Sequence, residues 1–184
     1  KMELENRVTE LKILRGAWSN EQLSLERKVN TTYPNRIQQY QRQIEQISQD
    51  AALLEQSRDG NFSIVLDGKR YTERPEAGEA LALLYRRISE GRKKDDYDFE
   101  IGTYRGFRLY LSFDPFSAGL VLRGSSRYNT DIGSSGQGAI TRIENLAERI
   151  PSYLTYAQRD LEEVQKQLEA ARQQMGQPFI YEEE

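Results

Sequence analysis

The residues Asp131 to Leu146 read DIGSSGQGAITRIENL, with Gly133, Gly136 and Gly138 set among small polar side chains just before a helix-forming run. Glycine turns that open a helix can hold phosphate, because bare backbone N–H groups and the helix dipole point at the anion. A nucleotide P-loop also needs Lys and Ser/Thr after its last glycine. Gly133 and Gly138 have the right separation, but Ala139 and Ile140 occupy those two positions. The glycine order also fails the dinucleotide fingerprint, and no βαβ pattern surrounds it. The expected role is a strand-to-helix joint in which Ser135 or Gln137 satisfies the first N–H groups. Gly136 and Gly138 remain candidates for a phosphate contact from a nucleic-acid backbone.

Other chemistry is scarce. The chain has no cysteine and no histidine, which removes disulfides, thiolate or imidazole nucleophile pairs and the common zinc sites. No calcium-type loop is present, so no metal, catalytic residue or cofactor is expected in this fragment. FDPF, Phe113–Phe116, is similar in part to the Asp/Asn-Pro-Pro-Tyr/Phe loop of adenine methyltransferases, but it lacks the second proline and reads as a turn ending a strand. Glu162-Glu163 and Glu182–Glu184 lie on polar stretches with nothing to shift their pKa values, so they form no acid/base pair.

Basic residues are the remaining candidates. Between Asn61 and Gly138 there are 12 Lys/Arg against 11 Asp/Glu, yet the cations cluster. Arg86, Arg87, Arg92, Lys93 and Lys94 close a short helix, while Arg105, Arg108, Arg123 and Arg127 lie on or beside a strand meander. Tyr104 and Tyr110 are expected to share the outward face with Arg108, where they could stack on bases. The competing reading is a solvated face, with Asp95, Asp96 and Asp98 partly neutralising it.

The elements that position these residues follow from periodicity. Ile37, Tyr40, Ile44, Ile47, Ala51 and Leu54 alternate spacings of three and four, as do Ile150, Leu154, Ala157, Leu161, Val164, Leu168, Ala171 and Met175. Two such seams predict helical arms that cover each other antiparallel, with homodimerisation as the alternative. A preceding helix, about 3–29, is expected to turn Leu4, Val8, Leu11, Trp18, Leu25 and Val29 inward and to break near 30–36 at Pro34. Between the arms, Ser63–Thr72 predicts a hairpin about Asp67-Gly68, then a helix from Pro75 to about Glu90. Phe99–Phe113 predicts two strands about Arg105-Gly106, and Ala118–Arg123 a fifth.

The expected fold is therefore α+β: a long antiparallel helical, coiled-coil hairpin bearing an inserted module of about five antiparallel strands and one helix. Its parts are an arm over 1–58, a head over 59–138, a return arm over 139–176 and a tail over 177–184. Charged residues make up 30% and hydrophobic ones 37%, with a mean hydropathy of -0.80, as suits exposed helices. No apolar run reaches membrane-spanning length and no signal peptide is evident, so a cytoplasmic location without membrane contact is expected. The chain begins and ends inside helix-like and acidic sequence, as an excised fragment would.

Several segments in order resemble one family: NEQLSLERKVNTTYPNRI (20–37), FSIVLDGKRYTERPEAGEAL (62–81), IGTYRGFRLYLSFDPFS (101–117), GAITRIENLAERIP (138–151) and QPFIYEEE (177–184). They are similar to the C-terminal region of large helicase–DNA (adenine) methylase fusion proteins of phages, plasmids and other mobile elements. The resemblance implies a parent with a DEAD/DEAH-type ATP-binding motor and a methylase domain, the residues of neither being present here. It implies a non-catalytic accessory domain that positions DNA or couples the motor to other domains of the parent. The alternative is a coiled-coil interaction module, homodimeric through its arms, with no DNA contact.

Overall fold

A computed structural model describes residues 2–181. The segment Glu182–Glu184, with its carboxylates, lies outside the described residues. The chain is α+β, with a six-stranded antiparallel sheet in the order β2-β1-β3-β4-β5-β6.

Helix α1 (Met2–Arg27), a π turn (Lys28–Thr32) and α2 (Tyr33–Gln56) follow one another without a loop. The break expected near Pro34 is absent. A proline lacks the N–H and its ring presses on the carbonyl four residues back. Here the Tyr33 N–H bonds Lys28 O, five residues back, and Arg27 and Tyr33 keep right-handed helical dihedrals. The widened turn takes up the proline locally, so the helix runs through it.

The chain divides into two compact units, 2–42 with 157–181, and Gln43–Tyr156. In the first, Leu25 and Val29 form a buried cluster with Leu168 and Ala171, flanked by Tyr33, Ile37 and Met175. The Gln22 side chain clasps the end of α4 (Gly136–Gln174): its amide donates to Gln174 O at 3.5 Å and its oxygen accepts Gly176 N–H at 2.9 Å. The first adds to the bond that Gln174 O already accepts from the Gln177 N–H at 3.3 Å, and the second holds an N–H just past the helix end. Beyond that clasp the tail places Phe179 on Trp18, ring centroids 5.9 Å apart. Leu4 and Val8, expected inward, are 72% and 49% exposed. No segment among the described residues runs far enough beside α1 to cover them.

In the second unit, β1 (Ile64–Leu66) and β2 (Lys69–Tyr71) make the hairpin about Asp67-Gly68, and α3 (Arg74–Gly91) follows. The meander has four strands: β3 (Asp98–Tyr104), β4 (Phe107–Phe113), β5 (Ala118–Arg123) and β6 (Arg127–Asp131). The count of five is thereby corrected to six. RYNTD carries no apolar alternation because it is an edge strand whose one buried residue is Tyr128, and polar edges protect sheets from pairing with other chains. At both two-residue turns Asp67, Gly68, Arg105 and Gly106 all have positive φ, the geometry that matches strand twist in tight hairpins.

Phe107, Leu109, Leu111 and Phe113 line the buried face of β4, joined by Leu120 and Leu122 of β5. Helices cover this face. Ala77, Leu81 and Leu84 of α3, Ile140, Ile143, Leu146 and Ile150 of α4, and Ile47 and Leu54 of α2 are all buried. Burying one such side chain stabilises by about 1.5–3 kcal/mol. Gly78 and Gly136 let α3 and the start of α4 meet backbone to backbone: a Cβ on Gly136 would fall on Gly78 O.

Candidate nucleic-acid face and polar cleft

The β-sheet positions its outward residues by register. Arg108 stands directly opposite Arg123, and Arg123 opposite Arg127, so three arginines cross β4, β5 and β6 in one row. Tyr110 lies two residues along on the same face, opposite Val121. Arg127 is neutralised: its guanidinium donates to Asp98 at 2.9 Å and to Ser112 Oγ at 3.4 Å. That pairing lowers the Asp98 pKa below the usual carboxylate value, the Arg127 hydrogen bond being the largest cause. Arg127 on β6 thus pairs with Asp98 on β3 although β5 and β4 lie between them, and the outward Val121 of β5 is only 1% exposed. Arg108 and Arg123 are exposed and form no ion pair among the described residues. Like charges directly opposed on neighbouring strands are destabilising, and Asp98, the carboxylate whose charge acts on Arg123, is already paired with Arg127.

Tyr104 does not share that face. In the two-residue hairpin it pairs with Phe107, cross-strand partners share a face, and Phe107 points inward. Tyr104 is 7% exposed, and burial, then the nearby Glu144, raises its pKa. The stacking role expected for it is thus withdrawn, whereas Tyr110 stays outward and half-buried.

Arg105 is also turned away from solvent. Its guanidinium donates to Leu54 O at 2.6 Å, Ser57 Oγ at 3.3 Å and Glu148 at 3.1 Å. It thereby caps the end of α2 and ties it to α4. It sits in a polar cleft of about 530 Å³ bounded by the residues after α2, β1, β3 and α4. There Arg74 holds Glu144 through bonds of 2.8 and 3.0 Å and lies over the Phe62 ring at 4.8 Å. Those two bonds raise the Arg74 pKa. The sequence offered no signal for this cleft, since its residues lie far apart in the chain.

The other basic candidates lie on the helical side of the sheet. Tyr85 of α3 stacks on the inward Phe113, ring centroids 6.1 Å apart, so the cations of α3 sit across the sheet from Arg108 and Arg123. Arg87 pairs with Asp67 at 3.0 Å. Lys93 and Lys94 are exposed in the loop before β3, where the Lys93 N–H donates to Asp96. Arg86 and Gly136 share a hollow of about 290 Å³ between α3 and the glycine loop. The candidates therefore divide between two sides and form no single basic face.

At the glycine loop, Ser135 Oγ accepts the Gly138 N–H at 3.0 Å, and Ser135 O accepts that of Ala139 at 2.9 Å. Ser135 is the N-cap, as one of the two expected capping residues, and Gly136 is engaged in packing on Gly78. The N–H expected to meet phosphate at Gly138 is thus already bonded. FDPF forms the turn expected of it: Asp114 accepts the Ser117 hydroxyl at 2.6 Å and the N–H groups of Phe116 and Ser117 at 2.8 and 2.7 Å, and these bonds, the hydroxyl's first, lower its pKa. Phe116 is left 98% exposed at the tip.

Among the described residues no cluster of carboxylates could hold a metal ion, and no helix is long and apolar enough to cross a membrane. Compared with protein-family models, curated proteins and solved structures, the chain matches none of them.

Proposed function

We propose that this chain is a non-catalytic accessory domain of a DNA helicase/methylase that positions nucleic acid on the open face of its sheet. One observation carries the reading: Arg108 and Arg123 stand opposed, neither in an ion pair among the described residues, beside the outward ring of Tyr110. A phosphate between two guanidiniums turns their repulsion into attraction, and an adjacent aromatic ring offers a base a stacking surface. The likeness of the segment order to the helicase–methylase fusions supports the context. The ATP-dependent motor, the methyltransferase and a cytoplasmic setting belong to the proposed parent.

The test is fluorescence anisotropy with single-stranded and duplex DNA at physiological salt. Binding tighter than ~10⁻⁴ M that weakens on Arg108→Glu or Arg123→Glu and with rising salt is expected. Binding indifferent to both substitutions would overturn the reading. Arg105 is unsuitable as a probe, because its loss would disturb the α2–α4 connection.

A second reading is a coiled-coil interaction module that joins subunits or domains through its helices. The exposed Leu4 and Val8 favour it. In this reading the helices pair as a hairpin, supported by the Leu25, Val29, Leu168 and Ala171 cluster.

A further inference from the structure

The apolar seam of α1 does not stop where its intramolecular partner stops. Leu4, Val8, Leu11, Arg15, Trp18, Gln22, Leu25 and Val29 follow spacings of four and three along one stripe. Its C-terminal half is covered: Leu25 and Val29 pack on Leu168 and Ala171, Gln22 holds the end of α4, and Trp18 meets Phe179. Its N-terminal half continues for about 24 Å of helix at 1.5 Å per residue. There Leu4 and Val8 are exposed and Leu11 is half-buried. A helix of this length without tertiary cover is marginal in water, so the stripe calls for a second helix.

We infer that the partner is a second copy of this chain, the two α1 segments pairing antiparallel so that Val8 of each meets Leu11 of the other. The inference deepens the interaction-module reading and is independent of the nucleic-acid one. Charge selects both orientation and register. In this register Glu5 beside the seam faces Lys12 of the second copy, twice by symmetry, and Arg7 faces Leu14 rather than a cation. Arg15 faces Leu4 at the ends, where its stem covers the leucine while its head reaches water. Moving by one heptad would set Glu5 against Glu5. A parallel pair would set Arg15 against Arg15 within the seam and Arg7 against Lys12, both repulsive. The chosen register also brings Met2 of the second copy beside Ala17, one residue short of the Trp18 that Phe179 covers. The second copy thus takes up the seam where the chain's own tail leaves it.

Sedimentation equilibrium of the full chain tests this, from about 10 μM to about 1 mM, the range in which a small interface associates. A monomer–dimer equilibrium is expected. Glu5→Lys or Lys12→Glu alone should weaken it by about tenfold or more, and the double exchange should restore it. All these positions are exposed or at the rim, and circular dichroism verifies that the variants keep their helix content. Because the chain has no cysteine, a mixture of Val8→Cys and Leu11→Cys proteins can be oxidised without background. A mixed disulfide between the two variants supports the register. A monomer throughout would overturn the inference and leave the seam to another helix. Dimers indifferent to the charge exchanges, or a disulfide formed by Val8→Cys with itself in preference, would also overturn it.

Discussion

The Asp50 carboxylate on α2 accepts the Tyr128 hydroxyl of β6 at 2.7 Å, and it also takes the Ser125 and Ser126 N–H groups at 2.6 and 2.9 Å. Asp50 is 1% exposed, so a buried carboxylate holds the β5–β6 turn onto a helix more than seventy residues earlier in the chain. Gly124 leaves room for it, since a Cβ there would meet Asp50. Hydrogen bonds to a charged group are each worth about 1.5–3 kcal/mol. Tyr128→Phe should therefore destabilise by about 2 kcal/mol in denaturant unfolding. Asp50→Ala should cost about 3–5 kcal/mol, because it leaves several donors unpaired. A double-mutant cycle should return a clear coupling energy, and additive effects would contradict the contact.

Tyr128 also sets an alkaline limit. Burial, then the hydrogen bond to Asp50 and its charge, raise its pKa. A tyrosine raised in the folded state stabilises fully below its ordinary value of about 10, and that contribution is lost as pH rises toward the raised value. Stability should fall above pH ~10 in the native protein and less steeply in Tyr128→Phe. Tyrosinate absorbance should detect a ring that titrates only with unfolding and is lost in Tyr128→Phe.

Asp98 works in the opposite direction. Its lowered pKa favours the carboxylate, so its contribution is present above the ordinary aspartate value and disappears as pH falls through the lowered one. Both partners are more than a third exposed, which keeps the effect within about 1 kcal/mol. Carbon-detected NMR titration should place the Asp98 midpoint below an ordinary aspartate, and Arg127→Gln should return it upward.

Arg108→Glu should separate binding from folding. Opposite Arg123 it replaces repulsion with a cross-strand ion pair, raising stability by about 0.2–1 kcal/mol. The same change should weaken DNA binding. Thermal unfolding and anisotropy on one preparation measure both, and a loss of stability would contradict the register.

The two glycines at the head of α4 should respond differently. Gly136→Ala drives a methyl into the Gly78 backbone and should cost about 1–3 kcal/mol. Gly138→Ala meets only the movable Ser135 Oγ, 2.9 Å away, and should cost far less, while Ser135→Ala loses about 1 kcal/mol of capping. Chemical denaturation of the three variants gives the order directly.

Residue order alone makes the local elements legible. Strict alternation in FRLYLSF and the three-four spacing of Ile150–Met175 each impose one period and one buried face, and Asp67-Gly68 and Arg105-Gly106 mark the turns. Residue type alone also excluded thiol, imidazole and P-loop chemistry. Tertiary structure decided what depends on which elements meet. RYNTD is a strand because β5 offers it an edge, and Pro34 leaves the helix unbroken because a π turn takes up its ring. Tyr104 is inward because a two-residue turn pairs it with Phe107. Which arginines remain unpaired was likewise decided in three dimensions. Arg127 finds Asp98 three strands away, and Arg105 finds the end of α2, while register leaves Arg108 and Arg123 facing each other. Periodicity is a property of neighbours along the chain, whereas charge pairing depends on distance in space, which only the assembled sheet supplies.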